Sequence, residues 1–445
     1  MPTKPESSSD SSLGAGAHTA TDAVVEAHDL EVTFALQGSA LSRLLGRRGR
    51  SVQAIDGVNL ALRRGEVLGL VGESGSGKTT LGRAFLGLVP ATGGSITYHG
   101  RDRGDVVVSE LGSRDLRALR TSMQMVFQDP GAALNPGMTI EEAVGHPLVI
   151  HRKLKGAELR AKVCDALEKV GLAPVERYLS KYPADLSGGQ KQRAVIARAI
   201  ILEPEVVIAD EPVSMLDMSV RAKILQLMLD LKAELDLSYV YITHDLASAK
   251  FICDRIAIMY LGRIVEIGPT QEIFDNPRHP YTQALLKAIP EPDPDRMVAR
   301  DLPRGEIPDA AEPPLGCSFH PRCPQAVAEC GWESRDLKAL LEEHWTRNPE
   351  ATFGAERDMV GDLDKLDKPE LTTHLGTKDS AGTLGLLNRI KAENPEEPFW
   401  RGVEALEEDG NGVRVEFTQP TDPALRRAGG VEVACVLYPD EAEKS

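Results

Sequence analysis

Nine consecutive residues carry the clearest chemistry in the sequence. Gly72, Glu73, Ser74, Gly75, Ser76, Gly77, Lys78 and Thr79 fit the pattern G-x-x-x-x-G-K-S/T, and Thr80 follows it. Glycines at this spacing let backbone N–H groups curl around phosphate oxygens, and a following helix adds partial positive charge at its N-terminus. Lys78 is then placed to reach the β- and γ-phosphates of a nucleotide, and the Thr79 hydroxyl to ligate Mg²⁺. A plain glycine-rich turn is the alternative, and the Lys-Thr pair in register speaks against it. Downstream, Asp210-Glu211 closes an apolar run. One carboxylate of such a pair can hold Mg²⁺ while the next polarises an attacking water. Taken alone, an acidic pair after a strand is as often a surface turn.

A phosphate loop of this kind works between a strand and a helix. Glu66–Val71 reads as a buried strand, and Leu81, Ala84, Phe85 and Leu88 mark the helix that follows. Glu205–Asp210 and Ser238–Thr243 read as further strands, joined by a helix whose face is Val220, Ile224, Leu227, Leu231 and Leu235. Strands alternating with helices predict an α/β layered fold with a largely parallel sheet from about Val24 to Gly268. The stretch Gln37–Arg50 interrupts the pattern as a basic, weakly amphipathic insert. Residues 1–23, rich in Ser, Gly and Ala and without a basic-then-apolar leader pattern, are expected to form a disordered tail. No run of about 18 apolar residues is present, so no transmembrane helix is expected.

The charge is uneven. The 445 residues carry a net charge of −16 and leave room for roughly two to three domains. Pro292–Ser445 holds 18 Lys and Arg against 32 Asp and Glu, so nearly all of the imbalance lies there. An acidic chain of this kind is not expected to bind nucleic acid, which needs clustered Lys and Arg. After Gly268, frequent prolines from Pro269 to Pro314 predict a loop-rich appendage. Residues 334–430 are polar and acidic, with helical fragments such as Asp336–Glu343 and no legible chemistry.

Further motifs join the first two. Leu186-Ser187-Gly188-Gly189-Gln190 precedes a helix, Gln128 stands in Met125-Val-Phe-Gln-Asp129, Ser214-Met-Leu-Asp217 follows the acidic pair, and His244 ends a strand. In this order the set resembles the nucleotide-binding domain of ABC transporters over about residues 24–268. The resemblance implies an ABC-type P-loop domain, a RecA-like core with a helical subdomain at about 125–200. It further implies Mg²⁺ contacts by Thr79, Asp210 and Gln128, and catalytic roles for Glu211 and His244. Ser187, Gly188, Gly189 and Gln190 match the signature that caps the ATP of the opposite subunit. Asp217 matches the D-loop, where the family more often has Ala at the position of Met215. Phe34 stands where an adenine-stacking aromatic is expected. The active unit so implied is a head-to-tail pair with ATP at the seam.

Asn276–Leu286 and Gly316–Cys330 resemble the C-terminal extension of the oligopeptide/dipeptide importer family, here residues 269–333. The insert before Val52–Val58 resembles the family's F-type rather than its D-type ATPase subunit. Cys317, Cys323 and Cys330 have spacings wider than structural zinc prefers. Thiolates from one loop plus a distant fourth suit an iron–sulfur cluster. The resemblance implies a 4Fe–4S cluster, with Cys435, in a C-terminal return at 431–445, as the fourth ligand; zinc and free thiols in a small core are the alternatives. Residues 331–434 intervene, so either 334–430 is an inserted lobe or Cys435 is not a ligand. Cys164 and Cys253 stand in apolar contexts and are expected to be buried and inert.

The resemblance implies an ATP-hydrolysing subunit of a peptide importer at the cytoplasmic face of the membrane. Its partners would be a paralogous ATPase subunit, two transmembrane permeases and, indirectly, an extracytoplasmic solute-binding protein. Relatives carry nickel, opines, glutathione or oligosaccharides. Two rival readings are a soluble ABC ATPase that remodels a cytosolic partner and a catalytically dead regulatory subunit. The first usually brings paired cassettes or a coiled-coil insertion, and neither is seen; intact Glu211 and His244 argue against the second.

Overall fold

The structure is a computed structural model that describes residues 22–35, 51–288, 305–347, 350–377, 379–410 and 412–439. The expected tail up to residue 21 and the basic insert Gln37–Arg50 lie outside the described residues.

Five strands form the parallel centre of an eight-stranded sheet. Their order is Met123–Val126, Val206–Asp210, Ser238–Thr243, Val67–Val71 and Arg255–Tyr260. Side chains alternate across a strand, so each strand feeds two cores. Val67, Val71, Val207, Ala209, Tyr239, Tyr241, Ile256 and Ile258 pack on the side of the helical arm. Leu68, Leu70, Val206, Ile208, Val240, Ile242, Ala257 and Met259 pack against the helix Lys78–Phe85 and a second sheet. Burial on both faces explains why these strands read as continuous apolar runs.

That second sheet is antiparallel, in the order Ser51–Arg63, Ala23–Ala35, Gly93–Gly100 and Gly104–Val107. The expectation of one largely parallel sheet thus holds for the centre only. Ala23–Ala35 is half-buried and its pairing shifts register several times, which blurs the alternation that would have announced it. The helical arm comprises Ile140–His151, Gly156–Lys169, Glu176–Leu179 and Gly188–Ile200. Among the described residues no helix is long and apolar enough to cross a membrane.

The acidic stretch is a folded lobe rather than a string of helical fragments. Thr372–Gly376, Gly412–Phe417 and Val403–Asp409 form an antiparallel sheet with Gly412–Phe417 at its centre. The helices Ser334–Arg347 and Ser380–Glu393 cover a core of Leu337, Leu341, Trp345, Leu387, Ile390, Val413, Val415 and Phe417. Trp332 docks the lobe to the extension; a Cβ on Gly402 would meet its ring at 1.9 Å, so only glycine fits there. The chain then returns to the main sheet, where Val431–Val433 pairs antiparallel with Arg263–Pro269.

Candidate nucleotide site

The strand Val67–Val71 delivers the glycine-rich loop directly into the helix Lys78–Phe85. Gly77 caps that helix at φ 99°, and a Cβ there would meet the Ala54 carbonyl oxygen at 2.4 Å. Lys78 folds back into the loop. Its Nζ donates to the carbonyls of Gly72 and Glu73, both at 2.8 Å, and to Ser76 Oγ at 3.1 Å. Burial lowers the Lys78 pKa, and the nearby carboxylates of Glu211, Asp210 and Glu73 oppose that shift.

Thr79 Oγ1 donates to Asp210 Oδ1 at 3.0 Å. Asp210 ends the strand Val206–Asp210 and is buried, which raises its pKa; the Thr79 hydrogen bond and Arg83 offset part of this. Glu211 turns sharply away at φ 46°, a left-handed conformation that costs a non-glycine residue energy and is held by its N–H to the Ile242 carbonyl at 2.9 Å. That turn aims its carboxylate between two side chains. Gln128 Nε2 donates to Glu211 Oε2 at 2.9 Å, and His244 Nδ1 lies 2.8 Å from Glu211 Oε1. Gln128 follows the strand Met123–Val126 and His244 follows Ser238–Thr243, so adjacent parallel strands assemble the cluster at one end of the sheet. Hard oxygen donors from Thr79, Asp210 and Gln128 suit Mg²⁺.

Other predicted residues stand apart from this cluster. Ser187 and Gln190 form a reciprocal cap on the helix Gly188–Ile200, with Ser187 N–H to Gln190 Oε1 at 3.0 Å. This leaves Gly188 and Gly189 in its first turn. Asp217 caps Met218–Leu235, and hydrogen bonds from Ser219 and the Val220 N–H hold its carboxyl below the usual range. Among the described residues no hydrogen bond joins these two caps to the glycine-rich loop. Phe34 is 43% exposed, paired with Val52 near the edge of the second sheet.

The cysteines converge. Cys317 N–H donates to the Cys330 carbonyl at 2.9 Å, and Cys330 Sγ accepts from the Val327 N–H at 3.3 Å. Burial, aided by Cys330, Cys435 and Cys323, raises the Cys317 thiol pKa. Burial pushes Cys323 up to about 12 and Cys435 up to about 11, with neighbouring cysteines adding to both. Cys435 joins the others because the return strand brings it back past the lobe. All six cysteines are free thiols, and among the described residues no group of three or more His, Cys, Asp or Glu is set to hold a metal ion. Cys253 is buried and its pKa raised, whereas Cys164 is half-buried rather than buried.

Sequence reading missed two residues that touch the loop. Arg322 grips the Glu73 carboxylate with two nitrogens at 2.9 and 3.2 Å, and the Tyr281 hydroxyl accepts from the Glu73 N–H at 3.0 Å. An arginine inside the Cys317–Cys323 run was the available signal.

The sequence pattern of the ABC transporter family matches residues 55–214, and that of the oligopeptide/dipeptide transporter C-terminal region matches residues 265–330. The oligopeptide transport ATP-binding protein OppF of Salmonella typhimurium is 45% identical over 310 residues, 69% of this chain and 90% of that one. The oligopeptide transport ATP-binding protein AppF of Bacillus subtilis is 41% identical over 327 residues, 73% of this chain and 96% of that one. Neither family pattern extends into the acidic lobe.

Proposed function

This chain belongs to the ATP-binding subunits of the oligopeptide/dipeptide ABC transporters, whose ATPase powers peptide import, and on that premise we propose how its residues divide the work. Glycine-rich loop amides and Lys78 bind the triphosphate. Asp210, Thr79 and Gln128 hold Mg²⁺, which neutralises phosphate charge when bound. Glu211 orients and polarises the attacking water, and His244 holds Glu211 in register. The observation that carries this reading is the grip of Gln128 and His244 on the two oxygens of Glu211, beside the Thr79–Asp210 hydrogen bond.

The caps at Ser187–Gln190 and Asp217 serve a facing subunit, so the working unit is a head-to-tail pair, with a paralogous ATPase as the second member. The Gly188 and Gly189 N–H groups, which make no hydrogen bond among the described residues, support that role as an anion contact at a helix N-terminus. Phe34 stacks on adenine; its exposure supports this. The pair acts at the cytoplasmic membrane face on two permeases, with a solute-binding protein beyond them. A cleft of about 130 Å³ lined by Leu88, Gln124 and Phe127 supports permease docking, since it adjoins Gln128 and exposes apolar side chains.

Cys317, Cys323, Cys330 and Cys435 hold a 4Fe–4S cluster in this proposal. The Cys317 N–H to Cys330 carbonyl bond and the return strand that carries Cys435 back to the extension support one loop plus a distant fourth thiol, a pattern that would suit such a group and its redox chemistry. Reconstitution with the permeases tests the function: ATP hydrolysis should accompany peptide uptake, and uptake without hydrolysis would refute it. Protein purified anaerobically should contain iron and acid-labile sulfide; stoichiometric zinc without iron would overturn the cluster.

A further inference from the structure

We propose that Arg322 and Tyr281, both in the C-terminal extension, are positioning residues for nucleotide binding that act through Glu73. The proposal rests on the reading of Gly72–Thr80 as the ATP site and adds a part to it.

Glu73 is an awkward neighbour for a triphosphate. Its backbone carbonyl holds Lys78 Nζ at 2.8 Å, so its carboxylate belongs to the same loop that must receive phosphate. Left free, it would compete for Lys78 and repel phosphate oxygens. Arg322 removes that conflict by taking both carboxylate oxygens in a fork, with its own side chain 8% exposed. The guanidinium is itself held, by the Tyr260 hydroxyl at 3.4 Å and between the rings of Tyr260 and Phe319, each 5.9 Å away.

Tyr281 fixes the backbone of the same residue. Its side chain is fully buried and its ring lies 4.7 Å from that of Tyr260. A relay of hydrogen bonds sets its position. The Glu266 carboxylate accepts from the N–H groups of Arg278 and His279, and His279 Nδ1 accepts from the Tyr281 N–H. The strand Arg263–Pro269 of the main sheet, which carries Glu266, thereby sets where the glycine-rich loop lies. Arg322 directly precedes Cys323, so one turn bears both a thiol and the loop contact.

The test is titration of the full chain with a fluorescent ATP analogue and Mg²⁺. Arg322→Ala should weaken binding about tenfold, the loss of a charged hydrogen-bond pair that strands a carboxylate. Arg322→Lys should recover most of it. Adding Glu73→Gln to Arg322→Ala should restore binding toward that of Glu73→Gln alone, because the stranded charge is gone; loss of mere structural support would not be rescued. Tyr281→Phe should weaken binding about threefold at unchanged fold, the size of one neutral hydrogen bond. If Arg322→Ala does not fold, Arg322→Gln with and without Glu73→Gln carries the same comparison. Wild-type affinity in Arg322→Ala, or no rescue by Glu73→Gln, overturns the proposal while loss of binding in Lys78→Ala still upholds the ATP site. Wild-type affinity in Lys78→Ala instead overturns the ATP site itself.

Discussion

His244 Nδ1 lies 2.8 Å from Glu211 Oε1, and the imidazole is more than half exposed while the carboxylate is mostly covered. The pairing lets the histidine hold the carboxylate while facing outward to a ligand. Glu211→Gln keeps the shape and loses the charge that polarises water. Turnover should fall about a hundredfold or more, with ATP still bound and a closed dimer trapped. ATPase assays in the full transporter and gel filtration with ATP check both halves.

The cluster around Glu211 was legible because its members sit in short, self-contained motifs, each at the end of an apolar strand. The contact of Arg322 with Glu73 was not, since 249 positions separate the two and neither has a partner in local sequence. The acidic lobe was illegible for another reason. Val413, Val415 and Phe417 do alternate, but the surrounding charge masks so short a pattern, and the tryptophans that complete its core are scattered. The antiparallel sheet was hidden by its register shifts.

Lys78→Ala should abolish tight nucleotide binding. Three hydrogen bonds hold Nζ inside the loop, so its loss also frees the carbonyls of Gly72 and Glu73. Affinity should fall at least about tenfold, the usual scale for a charged hydrogen-bond donor. Calorimetric titration with Mg-ATP measures it.

His279 should make the fold acid-sensitive. Burial pushes its pKa down to about 3, and Nε2 finds no partner among the described residues. In the unfolded chain imidazole protonates near 6.5. The unfolded state therefore binds the extra proton between those values, and stability falls as pH drops from about 6.5 toward 3, by at most about 1.4 kcal/mol per pH unit. His279→Asn, whose oxygen can still accept from the Tyr281 N–H, should flatten that slope. Thermal midpoints across pH 7 to about 4, wild type against variant, isolate the imidazole from the adjoining Glu266.

Trp345→Ala should cripple the lobe and spare the ATP site. Trp345 is buried, and its Nε1 donates to Glu356 Oε2 at 3.2 Å. Removing such a side chain costs about 3–5 kcal/mol. The lobe has its own apolar core, separate from the two beneath the main sheet, so nucleotide affinity should stay within about twofold, as for distant sites. Limited proteolysis should cut within 334–430 first.

The pairing of Val431–Val433 with Arg263–Pro269 has a consequence for synthesis. Ribosomes add roughly 5–20 residues per second, so the strand Arg263–Pro269 waits on the order of ten seconds for its neighbour. Throughout that interval its outer edge is an unprotected template for other chains. A chain interrupted within the lobe keeps that edge bare and lacks Cys435.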